Sequence, residues 1–104
     1  MNGRYILRDR KPVECADLLE WGRWFEDIEN RRVARDEFGD VHVSTVFLGL
    51  DHRFGDEGPL ILFETMIFGG EHDGYERRYS TWTEAEAGHA KAVRMARPYT
   101  KAQP

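Results

Sequence analysis

The stretch VHVSTVFLGLDHRFGDEGPLILFETMIFGG, residues 41–70, decides the fold of this protein. Two apolar runs, residues 41–50 and 60–68, flank a short polar loop. The runs are rich in Val, Ile, Phe and Leu, which suit a packed, pleated surface. Gly and Asp residues punctuate the loop and permit the backbone conformations of a turn. The stretch therefore predicts a β-hairpin at the centre of a small sheet.

The apolar residues of this hairpin do not alternate cleanly. Val41 and Val43 share one face of the first run, whereas Val46 and Leu48 share the other. Either a bulge near Ser44-Thr45 reverses the register, or both faces are buried. The second run carries apolar residues on both faces, which favours burial on two sides.

The N-terminal residues predict elements that cover the hairpin. A short strand is expected at residues 3–8, broken at 9–12, and a helix at 14–28. The helix would present one apolar stripe, formed by Leu18, Trp21, Phe25 and Ile28. A second short strand at residues 31–35 would end in a turn at 36–40.

The C-terminal residues predict an edge strand at 75–80 and a closing helix from Thr83 to about Arg97. Thr83 and Glu86 match a capping box, and Trp82 stands before the cap. The inner face of this helix is made of small residues and one histidine, namely Ala85, Gly88, His89, Ala92 and Ala96. Small residues allow a helix to lie close to a sheet.

The predicted class is α+β, a small antiparallel sheet built on a central hairpin and covered by two helices, in the order β-α-β-β-β-β-α. Residues 1–98 are expected to form a single domain. Residues 99–104 are expected to be a loose C-terminal tail.

Composition bounds the function. The chain has 104 residues, 40% hydrophobic and 33% charged, as expected of one soluble globular domain. No apolar run approaches the roughly 20 residues of a membrane span, and the charged N-terminus does not resemble a signal peptide. The single Cys15 excludes an internal disulfide and suits a reducing cytoplasm. The net charge of -4 argues against direct nucleic-acid binding.

The sequence contains no recognised catalytic, metal or cofactor motif. The spacing of the His and acidic residues matches no metal site, and the glycines form neither a dinucleotide fingerprint nor a phosphate-binding loop. Neither a metal nor a cofactor is expected, and an enzymatic role is disfavoured. Cys15 is expected to be a packed residue. The three tryptophans are expected in the core rather than in a stacking platform.

Glu64 interrupts a strongly apolar strand, so it must be paired or lie at a cleft. A salt bridge to Arg4, Arg32, Arg35 or Arg77 is favoured over a general base with a raised pKa. His89 is expected to be a satisfied, half-buried residue. The alternative is a small-ligand pocket between helix and sheet, lined by Glu64, His42 or His89.

Two acidic, aromatic-containing loops on the rigid hairpin are the candidate protein-binding surface. The first comprises Asp51, His52, Arg53, Phe54, Asp56 and Glu57, and the second Glu71, His72, Asp73 and Tyr75. Such loops could meet a basic partner surface and imitate nucleic-acid charge in part.

Three runs, VSTVFLGLDHRFG (43–55), PLILFETMIFGG (59–70) and RYSTWTEAEAGH (78–89), resemble a group of short uncharacterised proteins encoded by bacteriophages and prophages. The resemblance implies a small accessory phage protein in the bacterial cytoplasm. It carries no activity and no site residue. The leading hypothesis is a non-enzymatic binding protein that modulates a host protein, such as an inhibitor of bacterial immunity of the anti-CRISPR kind. Alternatives are a virion or assembly component, in which edge strands pair between copies, and a small-ligand-binding protein.

Overall fold

The central hairpin forms as predicted in the computed structural model, which describes residues 3–97. The order of elements is β1 (Tyr5–Arg8), β2 (Lys11–Glu14), α1 (Leu18–Glu26), α2 (Ile28–Arg31), β3 (Arg32–Phe38), β4 (Val41–Phe47), β5 (Phe63–Phe68), β6 (Glu76–Tyr79) and α3 (Trp82–Ala96). The α+β class with antiparallel sheets is confirmed. The predicted tail, residues 99–104, lies outside the described residues.

Strands β3 to β6 form one antiparallel sheet in the order β3-β4-β5-β6. In the hairpin, His42 stands opposite Phe68, and Phe47 stands opposite Phe63. Strand β6 lies at one edge of the sheet, as predicted, and β3 lies at the other. Strand β3 is longer than predicted: it continues through Phe38, so the turn is confined to Gly39 and Asp40.

Only one face of the hairpin is buried, so the expectation of cover on both sides is wrong. The inward residues of β4 are Val43, Thr45 and Phe47, and the three residues between positions 41 and 47 on the other face are only partly buried. On β5 the buried residues are the alternate ones, Phe63, Thr65 and Ile67. The bulge considered near Ser44-Thr45 is not in β4, which pairs continuously with β5; the irregularity lies in β3, between Arg32 and Ala34, opposite Val46 and Thr45. The alternation is regular once the two threonines are counted as core residues.

Helix α3 covers the buried face. Its inward residues include Ala85, His89 and Ala92, which confirms the predicted small-residue face. The core extends beyond the helix at the end where the hairpin loop begins, since Phe47 contacts Phe63 at 5.2 Å and Trp24 at 5.7 Å between ring centroids.

The capping box of α3 lies two residues earlier than predicted. The Thr81 hydroxyl accepts a hydrogen bond from the Glu84 amide, and the Glu84 carboxylate accepts one from the Thr81 amide. The sequence Thr-Trp-Thr-Glu-Ala-Glu contains two overlapping matches to the motif. The earlier match prevails in the structure, where Trp82 enters the first turn and packs edge-on against Phe63.

A second small sheet, β1 paired with β2, was not predicted. Asp9 and Arg10 both have positive φ, 50° and 67°, as in the two-residue turns that connect the strands of hairpins. Neither is the glycine that usually marks such a turn, so the sequence offers no clear signal. An isolated bridge joins Arg4, just before β1, to Leu50 in the segment that follows β4.

The predicted helix at residues 14–28 is shorter and divided. Helix α1 begins after the cap residue Asp17, and Asp27 caps the separate turn of α2. The ends of the predicted apolar stripe are exposed, at Leu18 and Ile28. At the centre of the stripe, the Trp21 Nε1 donates to the backbone oxygens of Tyr5 and Gly49, at 3.2 and 3.1 Å. These hydrogen bonds connect α1 to β1 and to the segment after β4.

Substitution Gly88→Ala is expected to destabilise the protein although alanine favours helix. A Cβ at Gly88 would overlap the Tyr79 ring and hydroxyl. Overpacking of this kind costs about 1–3 kcal/mol, against about 1 kcal/mol gained in helix propensity. We expect a net loss of up to about 2 kcal/mol in urea unfolding.

Gly22→Ala is the matched control, since nothing lies within 4 Å of a Cβ at that helical position. It should stabilise the protein by about 0.5–1 kcal/mol. Equal, favourable effects of both substitutions would show that α3 does not approach β6 as described.

Candidate functional site

The loop between β4 and β5 is held together by the side chain of Asp51. Its carboxylate accepts hydrogen bonds from the backbone amides of Arg53 and Ile61 and from Arg53 Nε, each at 3.0 Å. The Arg53 guanidinium also donates to the Gly58 oxygen at 2.9 Å. One ion pair thus ties both ends of residues 51–61, hereafter the hairpin loop.

The electrostatics of Asp51 match this role. Burial raises the pKa of its carboxyl, but the hydrogen bonds from Ile61 and Arg53 and the charge of Arg53 outweigh burial, so the pKa lies below its usual value of 3.8. Asp51 is therefore ionised at neutral pH, and its pair with Arg53 is intact.

Burial in the hairpin loop is the reverse of what its residue types usually show. The charged side chains of Asp51 and Arg53 are only 13% and 15% exposed, whereas the Phe54 side chain is fully exposed. Phenylalanine is normally buried, and aspartate and arginine are normally exposed. A rigid ion pair therefore presents an apolar ring to the surroundings.

Acidic residues flank this ring. Asp56 and Glu57 are exposed and form no salt bridge within the described residues 3–97. His52 is exposed at the base of the loop, where its amide donates to the Ile61 oxygen at 2.9 Å. The loop tip thus combines one aromatic ring with two uncompensated negative charges.

The second predicted loop lies at the other end of the sheet. Residues 69–75 follow β5, whereas the hairpin loop precedes it, and six strand residues separate them by roughly 17 Å. Glu71 and Asp73 are exposed, and His72 and Tyr75 are partly buried. The Asp73 carboxylate accepts from the Gly69 amide at 2.7 Å, closing a local turn. The two loops therefore do not form one compact patch.

Glu64 is paired, as the sequence favoured, but with a different arginine. Its carboxylate accepts a hydrogen bond from Nε of Arg78 at 3.0 Å, and Arg78 is the residue of β6 directly opposite Glu64. Arg78 was not among the four predicted partners. His42 lies on the same open face and stacks on Phe68 at 4.6 Å between ring centroids. Glu64, His42 and His89 are not brought together, because His89 lies on the opposite side of the sheet.

His89 is the centre of a buried polar network. Its Nδ1 lies 2.7 Å from the Thr45 hydroxyl, and its Nε2 lies 2.8 Å from an Asp36 carboxylate oxygen. The Thr45 and Thr65 hydroxyls are hydrogen-bonded at 2.5 Å. The prediction that His89 has hydrogen-bond partners is confirmed, but the residue is buried rather than half-buried.

The network has one consistent direction. Since the Asp36 carboxylate accepts, His89 Nε2 donates; in the neutral imidazole Nδ1 then accepts from Thr45, which in turn accepts from Thr65. The Tyr79 hydroxyl is buried beside Thr65 and has no hydrogen bond of good geometry among the described residues. The pKa of Tyr79 is raised, because the effect of burial exceeds the opposing effect of the nearby Thr65 hydroxyl.

The Asp36, His89 and Thr45 side chains have the composition of a hydrolytic triad but not its accessibility. Thr45 is 0% exposed, so its hydroxyl cannot meet a substrate. Both ring nitrogens of His89 are hydrogen-bonded, Nδ1 to the Thr45 hydroxyl and Nε2 to the Asp36 carboxylate, and the side chain is buried. The arrangement therefore functions in the core of the protein.

A cleft of about 390 Å³ opens between α3 and β3 at this point. Its polar lining includes Asp36, Glu86, Arg94 and Arg97, and its floor includes Ala34 and Ala90. The charges are of both signs, so the cleft has no clear preference for an anion or a cation.

Other predicted residues have structural roles. Cys15 is buried, as expected. Trp24 and Trp82 are partly buried and pack edge-on against the core, as predicted, whereas Trp21, also partly buried, stacks on Phe25 at 4.6 Å.

Sequence reasoning missed Thr45, Thr65 and Asp36. Their contacts join residues 20 to 53 positions apart. Only the inward alternation of Val43, Thr45 and Phe47 could have signalled a polar core residue.

Within residues 3–97, no group of three or more His, Cys, Asp or Glu side chains is placed to hold a metal ion. None of the helices in that range is long and apolar enough to cross a membrane. Comparisons with protein-family models, curated proteins and solved structures give no match.

Proposed function

We propose that this protein is a non-enzymatic binding protein that docks the hairpin loop onto a basic surface of a partner protein. The observation that carries the proposal is the fully exposed Phe54 on a loop fixed by the partly buried pair Asp51 and Arg53. Exposing an aromatic ring costs solvation free energy, and a partner pocket would recover it.

Rigidity makes Phe54 an effective anchor. Interface energy concentrates in a few aromatic or arginine residues that fill pockets, surrounded by polar contacts. A loop that is already ordered loses little conformational entropy on binding. Five hydrogen bonds among residues 51–53, Gly58 and Ile61 restrict the base of the hairpin loop before any partner arrives.

Charge sets the kind of partner. Asp56 and Glu57 beside Phe54 favour an apolar pocket rimmed by lysine or arginine. The overall charge of -4 has the same sign and would speed the approach to a basic surface.

Affinity capture from bacterial lysate tests the surface. Wild-type protein should retain a partner that Phe54→Ala loses, and the double reversal Asp56→Lys, Glu57→Lys should lose it as well. Phe68→Ala is the matched control, because Phe68 is a partly exposed phenylalanine at the other end of the hairpin. If all four proteins retain the same set, or none retains anything, the hairpin loop is not the docking surface.

The cellular role we propose is inhibition of a bacterial immune complex in the cytoplasm. Its support is the resemblance to phage-encoded proteins together with the acidic loop, since immune complexes that bind nucleic acid expose basic surfaces. Expression of the wild-type protein in a strain with active CRISPR immunity should restore plaque formation by a targeted phage, and Phe54→Ala should not. Unchanged plaque counts with the wild-type protein would discard this role while leaving the binding surface to its own test.

A further inference from the structure

Strand β3 has an open outer edge. It is terminal in the four-stranded sheet, and no other strand of the described residues pairs with it. Its pairing with β4 is irregular between Arg32 and Ala34 and regular from Ala34 to Phe38. An unpaired strand edge is a ready template for pairing with another chain.

In the regular segment, the residues on the two sides of Asp36 are complementary to each other in charge and in size. In an antiparallel pair of two copies centred on that residue, Arg35 of each copy stands opposite Glu37 of the other. Ala34, the smallest side chain of the segment, stands opposite Phe38, the largest. The irregularity before Ala34 and the turn at Gly39 limit the pairing to these five residues.

We propose that the β3 edge pairs with the β3 edge of a second copy of this chain, forming a two-fold dimer with a continuous eight-stranded sheet. The two-fold axis makes the interface self-complementary, as in most homodimers. This contact is separate from the hairpin loop, so the dimer and the proposed partner contact can fail independently.

The charges of Arg35 and Glu37 fit this geometry. Within one copy the Arg35 and Glu37 side chains lie 3.6 Å apart on the open face, with 41% and 63% of their surfaces exposed. Pairing two copies would join four alternating charges into one network. The two Asp36 side chains stand opposite each other on the other face, a like-charge pair that opposes association, and each is held by the His89 of its own chain at 2.8 Å.

Charge reversal tests the register. Sedimentation equilibrium of the wild-type protein over a concentration series should show a monomer–dimer equilibrium. Arg35→Glu alone, or Glu37→Arg alone, should weaken self-association by about tenfold or more, since two attractive cross-strand pairs become repulsive. An equimolar mixture of the two variants should recover the dimer, because every cross-chain pair is again Arg opposite Glu.

Arg77→Glu is the matched control, with the same charge change on the exposed β6 edge; it should leave the dimer intact. A monomeric wild-type protein at every concentration would overturn the proposal. So would loss of self-association in Arg77→Glu, or a mixture no more associated than its components. Circular dichroism of each variant verifies folding, which these exposed positions should preserve.

Discussion

Phe47→Ala is expected to cost about 3–5 kcal/mol of the free energy of unfolding. Phe47 is completely buried and contacts both Phe63 and Trp24. Removal of its ring takes away apolar burial and leaves a cavity between the sheet and α1. Small domains have only about 5–15 kcal/mol of stability, so much of the reserve would disappear. Urea unfolding followed by tryptophan fluorescence measures the loss.

Phe68→Ala makes the same chemical change on the other face of the same hairpin. Phe68 is 38% exposed and stacks on His42, so the expected cost is about 1 kcal/mol or less. The comparison separates a hairpin with one buried face from one with two. Similar large losses for both substitutions would contradict the open face described above.

Thr45→Val is expected to cost roughly 2–4 kcal/mol although it preserves side-chain shape. The hydroxyl bridges His89 Nδ1 and the Thr65 hydroxyl inside the core. A buried polar group left without its partner costs about 1–3 kcal/mol. In Thr45→Val two such groups, His89 Nδ1 and the Thr65 hydroxyl, each lose a hydrogen-bond partner. The increase in apolar character compensates for only part of this.

Thr45→Ser is the control, because it keeps the hydroxyl and removes one methyl group. Its expected cost is about 1 kcal/mol. In thermal unfolding the serine variant should therefore melt above the valine variant. The opposite order would mean that the hydroxyl contributes little and that methyl packing dominates at this position.

The difference between these two core positions shows where sequence reasoning succeeded and where it failed. Phe47 lies in a run whose composition alone predicts a packed strand. Thr45 breaks the apolar alternation, so the inward face could not be recognised until His89 was placed against it. The hydrogen bond that buries Thr45 joins residues 44 positions apart, and no local pattern encodes that distance.

The candidate surface was predictable in part for the same reason. Loop composition identified Asp51, Arg53 and Phe54 as neighbours on a rigid hairpin. It could not show that the two charges turn inward and the ring outward, since this depends on the Ile61 amide across the loop. The second loop lies at the far end of β5. Composition could not place it there, because its position depends on how β5 pairs with β4 and on where β5 begins and ends.

The sequence by itself determined the α+β class, the antiparallel hairpin at its centre and the small-residue face of the last helix. These features depend on local periodicity and on residue size, which are present in the chain before it folds. Tertiary structure alone decided which hairpin face is buried, which of two overlapping capping boxes is used, and that His89 meets Thr45 and Asp36. Each of these choices depends on contacts between residues distant in sequence, whose free energies exist only after the sheet and α3 have packed together.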